Sequence, residues 1–293
     1  MYLATTIYKP DNEVKGCVQI VHGMEEHRKR YEDFANTLKE NGYGVISYDL
    51  PGHGETAGDD YGYFGDEGWQ TLIDSVEEIN KLCHETFGDV PVYLFGHSMG
   101  SMVSRCYIQK HDQNINGLIL SGAPNYQKAA PFGIVVGNIL KVFKGKKGHS
   151  KLLDDLITGS FNKKVDNPRT PSDWISYNEE NVDKFIEDPL SGVPFTIGGY
   201  VHELEGMVQM HDVSQYECKN KDWPILFVVG EDDPCTGGTK GLEDSKNTLV
   251  KAGYSNIKIK QFSHMRHEIL NEIEKDEVKN TIIAWLNELS HWL

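Results

Sequence analysis

The chain of 293 residues, 39% hydrophobic and 25% charged, has the composition of a globular protein able to bury its own core, which excludes disordered and fibrous classes. Its formal net charge of -15 argues against a nucleic-acid backbone as partner, because such binding works by Lys and Arg displacing counterions from phosphates. The cysteines Cys17, Cys83, Cys106, Cys218 and Cys235 are scattered and unpaired in number, so they read as free thiols; no secretory signal follows Met1 and no run of about 18 apolar residues occurs, which makes a cytoplasmic location the simplest expectation.

In chain order, short apolar runs alternate with helical patterns, the trace of an α/β protein with a mostly parallel sheet and helices on both faces. "CVQIVHG" (17–23) reads as a buried strand, and "YEDFANTLKENG" (31–42) sets Tyr31, Phe34 and Leu38 along one helical face before Gly42 ends it. A second strand, "GVISYDLPGHG" (44–54), runs into a Pro/Gly turn. Residues 69–88 then place Leu72, Ile73, Val76, Ile79, Leu82 and Cys83 at helix spacing, with Gly88 as the stop. "PVYLF" is a third strand, 101–111 a helix, and "INGLILSGAP" (115–124) a fourth strand. Parallel neighbours of this kind need right-handed crossovers.

From 125 to 215 the strand and helix alternation stops, and the segment reads as a cap inserted between two parts of one core, residues 1–124 and 216–293. Within it "FGIVVGNILKVF" (132–143) is an apolar helix, either a core element or a lid lining a pocket. A basic turn, "KGKKGHSK" (144–151), and a polar stretch to about Arg169 read as an exposed link. After 215 come a strand ending in an acidic turn, "WPILFVVGEDD" (223–233), a helix (241–253), a last strand, "SNIKIKQF" (255–262), and a final helix (277–289).

The chemistry centres on Gly96-His97-Ser98-Met99-Gly100, a G-x-S-x-G stretch between a strand and a helix. A nucleophilic serine must stand clear of the sheet on a strained turn, and glycines on either side remove the side chains that would collide there. Serine also needs an imidazole to take its proton and a carboxylate to orient that imidazole. With nucleophile, acid and base following in that chain order, Asp233, three residues past Gly230, is the preferred acid, with Asp232 as the alternative. His267 is preferred over His264 as base. The oxyanion of acyl transfer needs two backbone N–H donors: Met99 follows the nucleophile at a helix N-terminus, and Met24 lies in the loop after the first central strand. The charged residues of that loop, Glu25, Glu26 and the cluster at Arg28, read as turn surface. Asp49 and His53 in "DLPGHG" read as structural, and Trp174, Tyr200 and His202 are cap aromatics that either touch substrate or, as is more common in an irregular insertion, anchor the cap. His22 with His27 does not fit H-E-x-x-H, and His264 with His267 lacks further ligands, so a zinc enzyme is not expected.

With "HGMEEHRKRYEDFANTLKENGYGVISYDLPGHGETAG", "GHSMGS", "GEDDP" and "HEILNE" in this order, the chain resembles the monoacylglycerol lipase and lysophospholipase family of α/β-hydrolases over nearly its whole length. "EDPLSGVPFT" (187–196) is similar to part of that family's cap. The resemblance implies the α/β-hydrolase fold with a cap over an apolar acyl channel, Ser98, Asp233 and His267 as triad, and Met24 and Met99 as oxyanion donors. It further implies hydrolysis of acyl-bearing small-molecule esters without cofactor or metal, and leaves room for transient membrane contact. The acidic balance speaks against tight binding to anionic membranes. The rivals are an esterase of the same fold acting on another ester, such as a feruloyl-type aromatic one, and a noncatalytic binding member of the fold. A dehalogenase would need a carboxylate where Ser98 stands.

Overall fold

The computed structural model describes residues 2–159 and 161–290; Ser160, within the polar stretch read as a link, lies outside them. An N-terminal strand, β1 (Thr5–Tyr8), precedes β2 (Gly16–Val21), α1 (Glu32–Glu40), β3 (Tyr43–Tyr48), α2 (Trp69–Phe87), β4 (Val92–His97), α3 (Met99–His111) and β5 (Gly117–Ser121). Four helices follow: α4 (Ala130–Lys144), α5 (Lys151–Ile157), α6 (Glu179–Glu187) and α7 (Ile197–His211). The chain then closes with β6 (Ile225–Gly230), α8 (Gly238–Ala252), β7 (Ile257–Phe262) and α9 (Lys275–Ser290).

The strands form one sheet in the order β1-β3-β2-β4-β5-β6-β7. β1 pairs antiparallel with β3, and every other neighbour is parallel. Strands β2 to β6 are buried along their whole length, as expected of a sheet covered on both faces. Alternate residues feed two cores: Val18 and Ile20 of β2 join Phe34 and Leu38 of α1 and Ile282 and Leu286 of α9, while Cys17 and Val21 join Leu72 and Val76 of α2 and Met102 and Val103 of α3. Strand β7 alternates in exposure, which suits an edge with one solvated face.

Four elements go beyond the sequence reading: β1, α5, α6 and α7. β1 was not anticipated: TTIY is a short edge segment, half exposed, and its partner β3 lies far along the chain. Residues 151–157 form a helix rather than a link, because Leu153 packs fully buried in the core and turns a polar stretch into an amphipathic turn. Among the described residues of 125–215 there are helices and no strand.

Candidate active site

At the end of β4 the chain turns directly into α3, with Ser98 between them at φ 51 and ψ -121. An L-residue in that region is strained. The turn persists because its surroundings leave no room for another path. A Cβ on Gly96 would lie 2.5 Å from Ser104 Oγ, and one on Gly100 would run into the carbonyl oxygens of Val21 and His22. The glycines therefore let α3 pack hard against β2 while the serine side chain faces away from the sheet.

His267 and Asp233 arrive from the ends of β7 and β6. His267 Nε2 stands 2.8 Å from Ser98 Oγ, and His267 Nδ1 is 3.0 Å from each carboxylate oxygen of Asp233. The Asp233 carboxylate also accepts the Cys235 backbone N–H at 2.8 Å, so its orientation is fixed from two sides. Burial alone would lower the basicity of the imidazole, yet the neighbouring Asp233 carboxylate, with its hydrogen bond, holds the His267 pKa well above the ordinary histidine value. The alternatives stand apart: His264 is exposed and stacks on Tyr177, whose hydroxyl donates to Asp232. Asp233, Cys235 and His267 do gather three ligand-type groups. Within this group Asp233 is hydrogen-bonded to His267, and burial pushes the Cys235 thiol up to about 11.

The loop after β2 is built quite differently from the charged turn expected of it. Glu26 and Arg28 are buried, and Glu25 lines the cavity above Ser98. The reason is pairing. Glu26 Oε1 accepts the Gly23 N–H at 2.5 Å and the Tyr31 hydroxyl at 2.7 Å, and Arg30 bridges Glu26 at 3.1 Å to Glu268 at 2.5 Å. Asn181 of α6 adds a 2.6 Å hydrogen bond to Glu268. Burial opposes its charge, but the Arg30 guanidinium holds the Glu268 carboxyl down at about 2. Asp49 accepts from the Arg28 side chain and backbone and from the Glu55 N–H, and burial drives His53 down to about 3. Both have the structural character read from the sequence.

Met24 and Met99 both border a cavity of about 450 Å³ that also reaches Ser98 and His267. Its wall is mainly apolar and includes Met102, Leu156, Leu204, Met207, Phe161 and Trp174. Trp174 sits 5.0 Å from the His267 ring, so it belongs to the site itself. Tyr200 is buried with its hydroxyl donating to Asp154 at 2.9 Å, while His202 pairs with Glu205 away from the cavity. Sequence reasoning left the place of Trp174 open and missed Glu25 and Glu203 in the cavity wall, because the residues sit in turns and helices whose facing direction only the packing decides.

The family model described as "Serine aminopeptidase, S33" matches residues 12–274. The chain is 25% identical over 305 residues to the monoglyceride lipase of Rattus norvegicus, covering all of this chain and 86% of that protein. It is 24% identical over 290 residues to an uncharacterized abhydrolase domain-containing protein of Dictyostelium discoideum, of which it spans only 28%. Among solved structures, a thermostable carboxyl esterase from Bacillus coagulans superposes with a TM-score of 0.91 at 31% identity, covering 98% of this chain and 94% of that one. A sheet of this order, a shared length with esterases and lipases and a match across most of the sequence lead to one statement: the chain belongs to the S33 serine aminopeptidase family, as a monoacylglycerol lipase-like ester hydrolase of the α/β-hydrolase fold.

Proposed function

We propose that the protein cleaves carboxylic esters of the monoacylglycerol type through an acyl-enzyme on Ser98, with residues 125–215 as a cap over a core made of 1–124 and 216–293. The observation that carries this reading is the hydrogen-bonded run from Ser98 through His267 to Asp233, opening into a largely apolar cavity. Ser98 Oγ attacks the ester carbonyl while His267 Nε2 takes its proton and Asp233 steadies the imidazolium. Negative charge forms on the carbonyl oxygen and is received by the backbone N–H groups of Met24 and Met99. Because Glu26 occupies the Gly23 N–H, Met24 is the next amide along that loop to serve. Collapse of the intermediate expels the alcohol with the proton from His267, and water, activated by the same imidazole, releases the acid. A reducing cytoplasm suits the free cysteines.

The surface of α4 supports contact with lipid. Phe132, Val135, Ile139, Val142 and Phe143 are each more than half exposed, and Lys141 and Lys144 lie in the last turn. An apolar stripe of this kind fits a membrane or micelle surface, where the substrates reside. No helix among the described residues is long and apolar enough to cross a membrane. A second reading, hydrolysis of an aromatic-acid ester, is favoured by the rings of Phe161, Trp174 and Phe185 along the cavity. Rates on monoacylglycerols of graded chain length, a lysophospholipid and methyl ferulate separate the readings. The proposal expects monoacylglycerols to be turned over fastest; a preference for the ferulate would select the second reading.

A further inference from the structure

Beside the hydrogen bond that joins Asp233 to His267 lies a group that this pair does not require, the Cys235 thiol. Residues Pro234–Thr236 form a single 3-10 turn, and Asp233 caps it by accepting the Cys235 N–H at 2.8 Å. The cap brings both side chains to the same imidazole. A carboxylate oxygen of Asp233, the Cys235 Sγ and a ring nitrogen of His267 all lie within 4.8 Å of one another, and all three residues are buried. The Asp233 carboxylate meets the ring at Nδ1, 3.0 Å away. The turn is held from the β5 side as well, because the Cys235 carbonyl accepts the Asn125 N–H at 3.2 Å.

Thiolate, imidazole and carboxylate together suit a borderline-soft divalent ion. Zinc takes such ligands at about 2.0–2.3 Å in a tetrahedron, which sets the ligand atoms roughly 3.3–3.6 Å apart. The three groups therefore stand within roughly 1.5 Å of that arrangement. Space beside the ring comes from Gly122, where a Cβ would lie 3.1 Å from His267 Nδ1 and 3.0 Å from the His97 ring. Cys235 and His267 also border the cavity, so an ion can enter from it and a water there can fill the fourth position. Magnesium and calcium prefer six or more oxygen ligands and do not match this set. Among the described residues no second trio of His, Cys, Asp or Glu side chains gathers its ligand atoms in this way, which sets the expected stoichiometry at one ion per chain.

We propose that Asp233, Cys235 and His267 form an inhibitory zinc site. The ion lies between His267 Nδ1 and Asp233, with Cys235 Sγ as third ligand. Cys235 gives its thiol proton to solvent, and the imidazole keeps its single proton, which moves from Nδ1 to Nε2. The zinc-bound imidazole then presents an N–H to Ser98 Oγ, at the 2.8 Å contact where proton transfer needs a lone pair. Ser98 is left without a base. The site stands on its donor atoms alone; only the inhibition rests on Ser98 acting through His267 as proposed above.

The test uses cobalt(II) as a spectroscopic stand-in for zinc on the full-length, reduced protein at neutral pH, and titrates 4-nitrophenyl butyrate hydrolysis with zinc chloride. One cobalt per chain is expected, with a thiolate-to-cobalt charge-transfer band in the near ultraviolet that zinc displaces. Half-inhibition is expected on the order of 10 μM zinc or below, reversed by EDTA. In Cys235→Ser the band should vanish and the inhibiting zinc concentration rise by roughly tenfold or more. Cys218→Ser removes the one cysteine that is not buried and should leave both unchanged. No band in the unaltered protein, or a band lost in Cys218→Ser, would overturn the proposal whether or not Cys235→Ser folds. So would a band that survives Cys235→Ser. If the metal-free protein cleaves no ester while a cobalt band forms and depends on Cys235, the hydrolase reading fails and the zinc site stands.

Discussion

Glu26 Oε1 lies 2.5 Å from the backbone nitrogen of Gly23 and, through its second oxygen, the carboxylate meets Arg30 at 3.1 Å. One buried side chain thereby ties the loop beside Ser98 to an ion cluster that reaches across to Glu268 and α6. A Cβ on Gly23 would sit 2.7 Å from that same Oε1 and 3.0 Å from the Ser98 Cβ, so the loop, the carboxylate and the serine are packed as one unit.

Removing the cation at the centre of this unit is expected to be expensive. Arg30→Leu leaves Glu26 and Glu268 buried and uncompensated, a change that typically destabilises by about 3–5 kcal/mol. Urea unfolding monitored by tryptophan fluorescence should show the midpoint falling accordingly. A midpoint equal to that of the unaltered protein would mean the cluster is not holding the loop.

The glycines around Ser98 make a sharper demand. Gly100→Ala pushes a methyl group into the Val21 and His22 carbonyls, and since backbone cannot rotate away, the cost should reach or exceed the roughly 1–3 kcal/mol of ordinary overpacking. Thermal unfolding of the variant should be markedly lowered and ester hydrolysis depressed with it. Unchanged stability would show that α3 does not pack on β2 as described.

Much of this was legible in the sequence, for identifiable reasons. Strands β2 to β6 are continuous apolar runs bounded by turn residues, so period and length suffice to find them. Ser98, Asp233 and His267 are the residues chosen for their order and their places at strand ends, and the fold gathers all three within hydrogen-bond reach. What escaped was direction. "MEEHRKRY" looks like a charged turn until Glu26, Arg28 and Arg30 find partners at Gly23, Asp49 and Glu268, which lie up to 238 positions apart in sequence. Pairing over such separations leaves no local periodicity to detect. Trp174 likewise sits in an irregular segment, and only the approach of that segment to the loop after β7, where Arg266 donates to the Asp173 carbonyl, puts its ring against His267.

On the proposed mechanism, in which His267 is the base, the pH dependence of catalysis follows from this residue. The base must be neutral to accept the Ser98 proton, and Asp233 raises its pKa above the ordinary value of about 6.5. The kcat/KM for a neutral ester should therefore rise with pH along a limb centred above that value. Asp233→Asn removes the charge that raises the pKa, so the limb should move to lower pH while the rate falls by roughly 10⁴. A profile flat down to pH 5.5 would contradict the assignment.

Stability should fall between pH 6.5 and 8. In this window unfolded glutamates have lost their protons while folded Glu25 and Glu203, with pKa values of about 8, keep theirs. Folding then binds protons, and stability declines as pH rises. His267, also raised, acts in the same direction. Buried His53 and His97, lowered by burial to about 3 and about 4, act the other way but only below about 6.5, where the unfolded chain takes up protons. Thermal unfolding across pH 5–9 should thus show its maximum near 6.5, and Glu203→Gln should flatten the alkaline decline. A decline as steep in the variant would mean Glu203 is ionised throughout.

The most direct measurement of the central claim is intact and peptide mass spectrometry of the protein treated with a fluorophosphonate, which captures a serine activated by its base. One adduct is predicted, on Ser98, disappearing in Ser98→Ala and strongly slowed in His267→Ala, with loss of 4-nitrophenyl ester hydrolysis in step. An adduct on any other residue, or hydrolysis undiminished in Ser98→Ala, would contradict it.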